Sequence, residues 1–353
     1  MINVDFLLAG CNTRCKHCYV NGGPGPMMPV GDALLCIEKL DQIAAYLPDS
    51  VSFTLDHEPM NHPNLEQILQ AASHTGHIEN YHHGMTSGVG LAHRDDREAL
   101  IRAYQKCGYS CFGITFHGGA KLHDEIVRRK GAFDSAVSAA GFLKSQGVRL
   151  QISLMLNRFF PEEAEGITRL LEEVRPDDVY FAIPIFTPHC HMLDFEPYRA
   201  SLETVRSLRP YLGRWRQDEA KILDQAQRCS VAFGIERLRQ EVDLRGLFEE
   251  EQEELYLSLH QDCSLYVGNS GAETRRLGDL REMDPRSAAK EILSLPGNRD
   301  YGAFYEPEAL PPVHNLIKAL KNLPESTLYG DFESVIYRGL TELQIPSRIL
   351  KGV

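Results

Sequence analysis

The sequence predicts an α/β fold: a series of strand–helix units followed by a mixed α/β extension. Three observations carry that expectation. Short apolar runs of strand length alternate with segments of helical period, six times, between Ile2 and Pro184. Gly and Pro punctuate the joins. Beyond Tyr198 the rhythm stops and charge-dense helical periodicity takes over. Units of roughly 30 residues imply parallel strands joined by right-handed crossovers.

The first unit opens on the apolar run Ile2 to Ala9, read as a buried strand. After the Gly/Pro-rich passage Asn21 to Pro29, a helix is expected from Asp32 to Tyr46. Asp32 is its candidate N-cap, and Ile37, Leu40, Ile43, Ala44 and Leu47 share one face. Val51 to Leu55 is the second strand. Pro63 opens the next helix, with Leu65, Ile68, Leu69 and Ala72 inward. The third strand is expected near Ile78 to His83, with a helix from Arg97 to Cys107. Cys111 to His117 is the fourth strand, and its helix, Ala132 to Ser145, stops at Gly147. Arg149 to Leu156, a helix from Pro161 to Val174, and Asp178 to Pro184 complete the series.

The second half divides from the first near residue 198, giving units of 1–197 and 198–353. Arg199 to Gln252 reads as helical, anchored by Trp215, Leu223, Leu238, Leu244 and Leu247, and Glu249-Glu250-Glu251 reads as a solvated helix face. Ser264 to Val267, turning at Gly268-Asn269-Ser270-Gly271, reads as a β-hairpin. Helices are expected again from Asp284 to Leu295 and, interrupted by Pro, beyond Ala309.

Composition narrows the function. The chain has 353 residues, is 43% hydrophobic and carries a net charge of −12. That balance lacks the basic footprint of a nucleic-acid binder. No run of 18 apolar residues is present, so no membrane span is expected. The start lacks a basic, apolar signal segment. A cytoplasmic protein is expected, in which the nine cysteines need not pair.

Three of those cysteines form the strongest motif. Cys11, Cys15 and Cys18 are spaced C-x3-C-x2-C on the loop after the first strand. Three thiolates on one short loop suit a compact metal centre, zinc or an iron–sulfur cluster. A closed structural site takes four ligands, and the local count stops at three. A cubane cluster with one open iron satisfies that count. The stretch Cys11-Asn12-Thr13-Arg14-Cys15-Lys16-His17-Cys18-Tyr19 resembles the signature of the radical S-adenosylmethionine (radical SAM) enzymes. One position departs from the pattern: the residue before the last cysteine is usually aromatic and here is His17.

The resemblance implies a partial (β/α)6 barrel, a 4Fe–4S cluster held by Cys11, Cys15 and Cys18, and S-adenosylmethionine at the open iron. It also implies roles at other strand ends. Asp56-His57-Glu58-Pro59 stands where the family has Gly-Gly-Glu-Pro, so Glu58 is expected to contact the methionine amino group. Thr86-Ser87-Gly88 resembles Thr-Asn-Gly, near the methionine or ribose. Thr115-Phe116-His117-Gly118 stands for Ser-x-Asp-Gly, making Thr115 a cofactor candidate and His117 a catalytic one. The passage His123 to Asp134 brings Arg128 or Arg129 to the cofactor carboxylate, which a guanidinium fork suits. Ser153 and Asn157, placed on one face by period two, are expected near the ribose, and Ile183 at the adenine. In His189-Cys190-His191, Cys190 is a candidate hydrogen donor to a substrate radical.

The second half resembles the SPASM or twitch extension of the family's peptide-modifying branch. Cys263 to Gly271 matches the start of its hairpin, and Leu277-Gly278-Asp279-Leu280 its continuation. The cysteines that would follow are missing, and only Cys229 and Cys263 lie past the barrel. A capping extension without an auxiliary cluster is expected. The implied reaction is reductive cleavage of S-adenosylmethionine and hydrogen abstraction from a peptide or protein. The alternatives are radical rearrangement, epimerisation or deoxygenation of a small sugar or amino-acid metabolite, and a non-catalytic zinc-binding module. Flavodoxin or ferredoxin is the implied reductant. Only ten residues precede Cys11, so a leader peptide would need a separate binding protein or another surface.

Overall fold

The protein is described here by a computed structural model covering residues 1–48, 50–77, 83–188, 190–241, 243–245, 254–297 and 304–350. Its strands fall into two sheets. β1 (Ile2–Leu7) and β2 (Val51–Asp56) are parallel neighbours in the first. β3 (His83–Thr86), β4 (Cys111–Phe116), β5 (Arg149–Met155) and β6 (Asp178–Ala182) form the second, all parallel and in chain order. These are the six strands of the partial barrel. Their carboxyl ends share one mouth, where Glu58, just past β2, accepts a hydrogen bond from Thr86 at the end of β3.

The helices cover the outer faces for the reason the spacing implied. Ile37, Leu40 and Ile43 of α1 (Val30–Ala44) and Leu65, Ile68, Leu69 and Ala72 of α2 (Leu65–Thr75) are buried in one core with Phe6 and Phe53 of the strands. α3 (Val89–Ala92) packs on α6 (Ala132–Ser145), and α2 on α4 (Arg97–Lys106). α7 (Phe160–Val174) buries Phe160 and Thr168 against Trp215, whose Nε1 donates to Thr168 Oγ1 at 2.9 Å.

Several boundaries differ from expectation. α1 begins at Val30 with Pro29 as its cap, and Asp32 sits in the first turn, paired with Arg281 at 3.2 Å. β3 begins at His83, and residues 78–82 of the expected strand lie outside the described residues. Between β4 and β5 there are two helices, α5 (Ala120–Val127) preceding α6. Asp124 accepts from the backbone N–H groups of Gly131 and Phe133 and so shapes the bend between them.

The extension continues the barrel's sheet. β7 (Leu255–Leu259) pairs parallel with β1, with Ile2 opposite Leu255. β8 (Ser264–Val267) and β9 (Arg275–Asp279) add antiparallel strands, giving the order β2-β1-β7-β8-β9. The hairpin was legible; β7, in a stretch read as following a helix face, was not. Leu247 and Glu249-Glu250-Glu251 lie outside the described residues. The helices α8 (Leu202–Ser207), α9 (Arg209–Leu212), α10 (Glu219–Arg228), α11 (Val231–Leu238), α12 (Pro285–Leu293), α13 (Val313–Leu320) and α14 (Phe332–Glu342) complete the chain. α11, α13 and α14 enclose a second core around Phe186, Val231, Tyr329 and Leu340. Among the described residues no helix is long and apolar enough to cross a membrane.

Candidate active site

The cysteine loop is held by backbone hydrogen bonds to its neighbour. Arg14 N–H donates to Val127 O at 3.1 Å and Lys16 N–H to Ile126 O at 3.0 Å, fixing the loop on the carboxyl end of α5. Asn61 fastens the opposite side: its Nδ2 donates to Gly10 O at 2.7 Å, and its Oδ1 accepts from Asn12 Nδ2. Gly10 is required by close packing, because a Cβ there would lie 2.3 Å from the backbone nitrogen of Gly25.

The three thiols converge on one side of this loop. Thr13 Oγ1 lies 3.2 Å from Cys11 Sγ and 3.4 Å from Cys15 Sγ, and Gly22 N–H donates to Cys18 Sγ at 3.1 Å. Burial pushes the Cys15 and Cys18 thiols up to about 12 and raises Cys11 as well. Thiolates crowded in so dry a place need a cation to neutralise them. Three such thiols without a fourth therefore fit a cluster with one open position.

Beside Cys15, His17 Nε2 faces His117 Nε2 at 3.3 Å, and one ring nitrogen of each imidazole lies within 4.8 Å of the Cys15 sulfur. Burial lowers the His17 imidazole to about 4 and holds His117 well below the ordinary histidine value; both remain neutral near pH 7. His117 is thus buried in an aromatic group with His123 and His17.

The second polar cluster forms at the ends of β2 and β3. Glu58 is 1% exposed, and its carboxylate accepts from Thr86 Oγ1 at 2.7 Å and from both the N–H and Oγ of Ser87 at 2.6 Å. Burial raises the Glu58 carboxyl, and the three donors oppose that rise. Three residues singled out in two separate motifs therefore form one constellation. His57 adopts a φ of +61°, so the loop keeps a left-handed, glycine-like backbone although both family glycines are replaced.

The arginine pair separates cleanly. Arg128 lines the adjoining cavity and pairs with Asp194, whereas Arg129 Nη1 donates to Asn12 O at 3.1 Å and braces the cysteine loop. Thr115 and Ser153 are register partners on neighbouring strands. Asn157 lies past the end of β5, so strand alternation does not place it. It is fully buried, and its Nδ2 donates to His117 O at 2.7 Å. Around Ile183, the carbonyls of Ala182 and Pro184 accept from Leu156 N–H and Gly330 N–H. His189 and the side chain of Cys190 lie outside what the structure describes; His191 Nε2 lies 2.6 Å from Cys18 O and lines the cavity.

That cavity, about 880 Å³, lies between the cysteine loop, the β8–β9 turn and the tail beyond α14. Cys15, His57, Arg128, His260, Ser270 and Glu273 are among its lining residues. Glu273 is 3% exposed, and its Oε1 accepts from Gly271 N–H at 3.0 Å and lies 2.8 Å from His260 Nε2. Although burial opposes it, the contact with His260 and the backbone donors hold the Glu273 carboxyl below its ordinary range. Asn61, His260 and Glu273 belong to no motif and are isolated polar residues in the sequence, with no signal that marks them. The extension's two cysteines do not meet: Cys229 Sγ donates to Gly330 O at 3.1 Å, and Cys263 packs in the first core beside Cys36.

Comparison with known proteins matches this construction. Residues 7–171 fit the family model of the radical SAM superfamily. The solved structure of native anSMEcpe with bound AdoMet superposes with a TM-score of 0.52 at 13% identity, covering 97% of this chain and 96% of that one. SuiB of Streptococcus suis, bound to precursor peptide SuiA, gives 0.52 at 13% identity over 93% of this chain and 74% of its own. At such identity these two likenesses concern the fold. No curated protein matches the chain. The cysteine loop at the mouth of the parallel partial barrel falls within the matched stretch, so residues 7–171 of this chain form a radical SAM domain.

Proposed function

We propose that the enzyme modifies a peptide or protein by hydrogen-atom abstraction, with the reacting residue held in the 880 Å³ cavity that reaches Cys15. This cavity carries the reading, because Cys15 is among its lining residues and a side chain entering it would lie near the cluster loop. Cys11, Cys15 and Cys18 hold the 4Fe–4S cluster. When bound and reduced, the cluster supplies the electron that splits S-adenosylmethionine into methionine and a 5′-deoxyadenosyl radical. Glu58, supported by Thr86 and Ser87, orients the cofactor's amino group, and Arg128 its carboxylate. Thr115 and Ser153 face the ribose from the sheet. His17 and His117 stay uncharged and help keep the thiols dry. The task left to the chain is to hold the target hydrogen near C5′ and exclude water. Flavodoxin or ferredoxin serves as electron donor, and a leader peptide is bound by a separate protein or by another surface of this chain.

The fold likeness to SuiB, described in complex with a precursor peptide, supports the peptide reading. The cavity volume favours a second one, since about 300–1,000 Å³ is usual for small-ligand pockets. The two separate in an isotope experiment. The reconstituted, reduced enzyme is given S-adenosylmethionine and a deuterated cell extract split by size. Deuterium reaching 5′-deoxyadenosine from the peptide and protein fraction supports the proposal. Deuterium arriving only from the small-molecule fraction overturns it in favour of a sugar or amino-acid metabolite.

A further inference from the structure

We propose that Ser270, in the extension, is a positioning residue for S-adenosylmethionine: it holds His57 in the glycine-like backbone conformation that the cofactor-binding loop needs. The proposal rests on the reading that the Asp56–Pro59 loop receives the cofactor.

Five observations meet at this point. His57 has a φ of +61°, in the left-handed region that side chains with a Cβ enter reluctantly. Its Nε2 lies 2.7 Å from Ser270 Oγ, a contact spanning 213 residues of sequence. Ser270 is 1% exposed and is itself fixed, its N–H donating to Asp5 Oδ2 on β1 at 2.9 Å. The next residue, Gly271, has φ +82° and sits so close to the cysteine loop that a Cβ would lie 2.6 Å from Val20 Cα. The turn is therefore seated on the barrel by contacts independent of His57, and it can act as an anchor. His57 Nδ1 is buried without a hydrogen-bond partner, so the ring's position is set from the Ser270 side.

The physical consequence is direct. A histidine in this conformation, if released, relaxes toward negative φ and carries the backbone on either side with it, including the residue leading into Glu58. The cost of the left-handed conformation corresponds to roughly a tenfold shift in population. A chain with glycine at this position would need no clasp. In this chain, the extension supplies in trans along the sequence what the missing glycine would have supplied locally.

The test is equilibrium binding of S-adenosylmethionine to the anaerobically reconstituted protein, by dialysis, with iron content and thermal unfolding measured alongside. Ser270→Ala is expected to weaken binding about tenfold with the cluster intact. His57→Gly is expected to bind nearly as well as wild type, and adding Ser270→Ala to it to change affinity less than about twofold. An equal loss from Ser270→Ala in both backgrounds overturns the proposal, because the serine would then act without His57. Glu58→Ala separates this failure from that of the underlying reading. If it weakens binding while Ser270→Ala does not, only the clasp is wrong. If neither variant affects binding, the loop does not receive the cofactor, and both readings fall.

Discussion

The two walls of the site, of which Cys15 on one side and His260, Ser270 and Glu273 on the other face the cavity, are built differently. On the barrel side, Cys11, Cys15, Cys18, Glu58, Thr86 and Ser87 stand at the ends of strands that repeat one local rule, a strand followed by a helix. On the extension side, His260, Ser270 and Glu273 are placed by single long-range polar contacts, to His57, Asp5 and one another. Both walls rest on one apolar core, which Leu257, Leu259 and Leu265 of the extension share with Phe6 and Phe53; they differ in that the polar side chains of the second are set by individual hydrogen bonds that truncation removes. Mutations should therefore separate the two walls, cluster assembly following the first and cavity shape the second.

The largest effect belongs to the barrel wall. Cys15→Ala is expected to lose the cluster, iron falling from about four per chain to below one, with 5′-deoxyadenosine formation undetectable. Retention of a full cluster would show that Cys15 is not a ligand. Next comes the joint between the two cores. Arg199, whose side chain is 2% exposed, donates to Pro184 O at 2.8 Å and to Glu196 Oε1 at 2.7 Å, and Arg338 donates to Glu196 Oε2 at 3.1 Å. Glu196→Ala leaves the buried Arg199 with backbone carbonyls alone and Arg338 with Glu342 alone, and should cost about 3 kcal/mol, read by denaturant unfolding. A loss below about 1 kcal/mol would mean the cores are joined by packing alone.

The extension wall is tested by Glu273→Ala, which removes the acceptor of Gly271 N–H and Ser258 Oγ–H and the partner of His260. A loss of about 1–3 kcal/mol is expected with iron content unchanged, by chemical unfolding and iron assay. Loss of the cluster as well would show that the two walls are not separable.

A smaller, pH-dependent effect comes from His123, which burial holds down at about 4. As pH falls below the ordinary histidine value, the unfolded chain takes up this proton before the folded one does. The stabilisation is therefore complete above about pH 6.5 and is lost progressively toward pH 4, by at most about 1.4 kcal/mol per pH unit. His123→Phe should flatten the stability–pH curve in that window; an unchanged slope would mean the imidazole titrates normally. The smallest effect is at the exposed Arg149–Asp178 pair, where Arg149→Ala should leave the midpoint of chemical unfolding unchanged.

The barrel wall was legible because each of its parts has a local signature. The C-x3-C-x2-C spacing, the apolar period of α1 and α2, and a polar residue directly after a strand can all be read from short windows. That Glu58 would be the acceptor for Thr86 and Ser87 was not legible, since 28 and 29 residues separate the partners. Arg128 and Arg129 are adjacent and chemically alike, and only the folded chain, with Arg128 at φ +56°, sets one on Asp194 and the other on Asn12 O. β7 was missed because five residues, Leu255–Leu259, follow an acidic stretch that suggests a helix, and its strand character comes from pairing with β1, 253 positions earlier in the register. Ser270 could be seen as part of a turn, but no sequence pattern joins it to His57.

The central claim, that the barrel wall holds a redox cluster serving S-adenosylmethionine, is tested most directly by anaerobic reconstitution. Iron and sulfide are counted, dithionite and S-adenosylmethionine are added, and 5′-deoxyadenosine is measured for wild type and Cys15→Ala. About four irons with cleavage, both lost in the variant, is the predicted result. Stoichiometric zinc, with neither cluster nor cleavage under conditions where another radical SAM enzyme turns over, would contradict it.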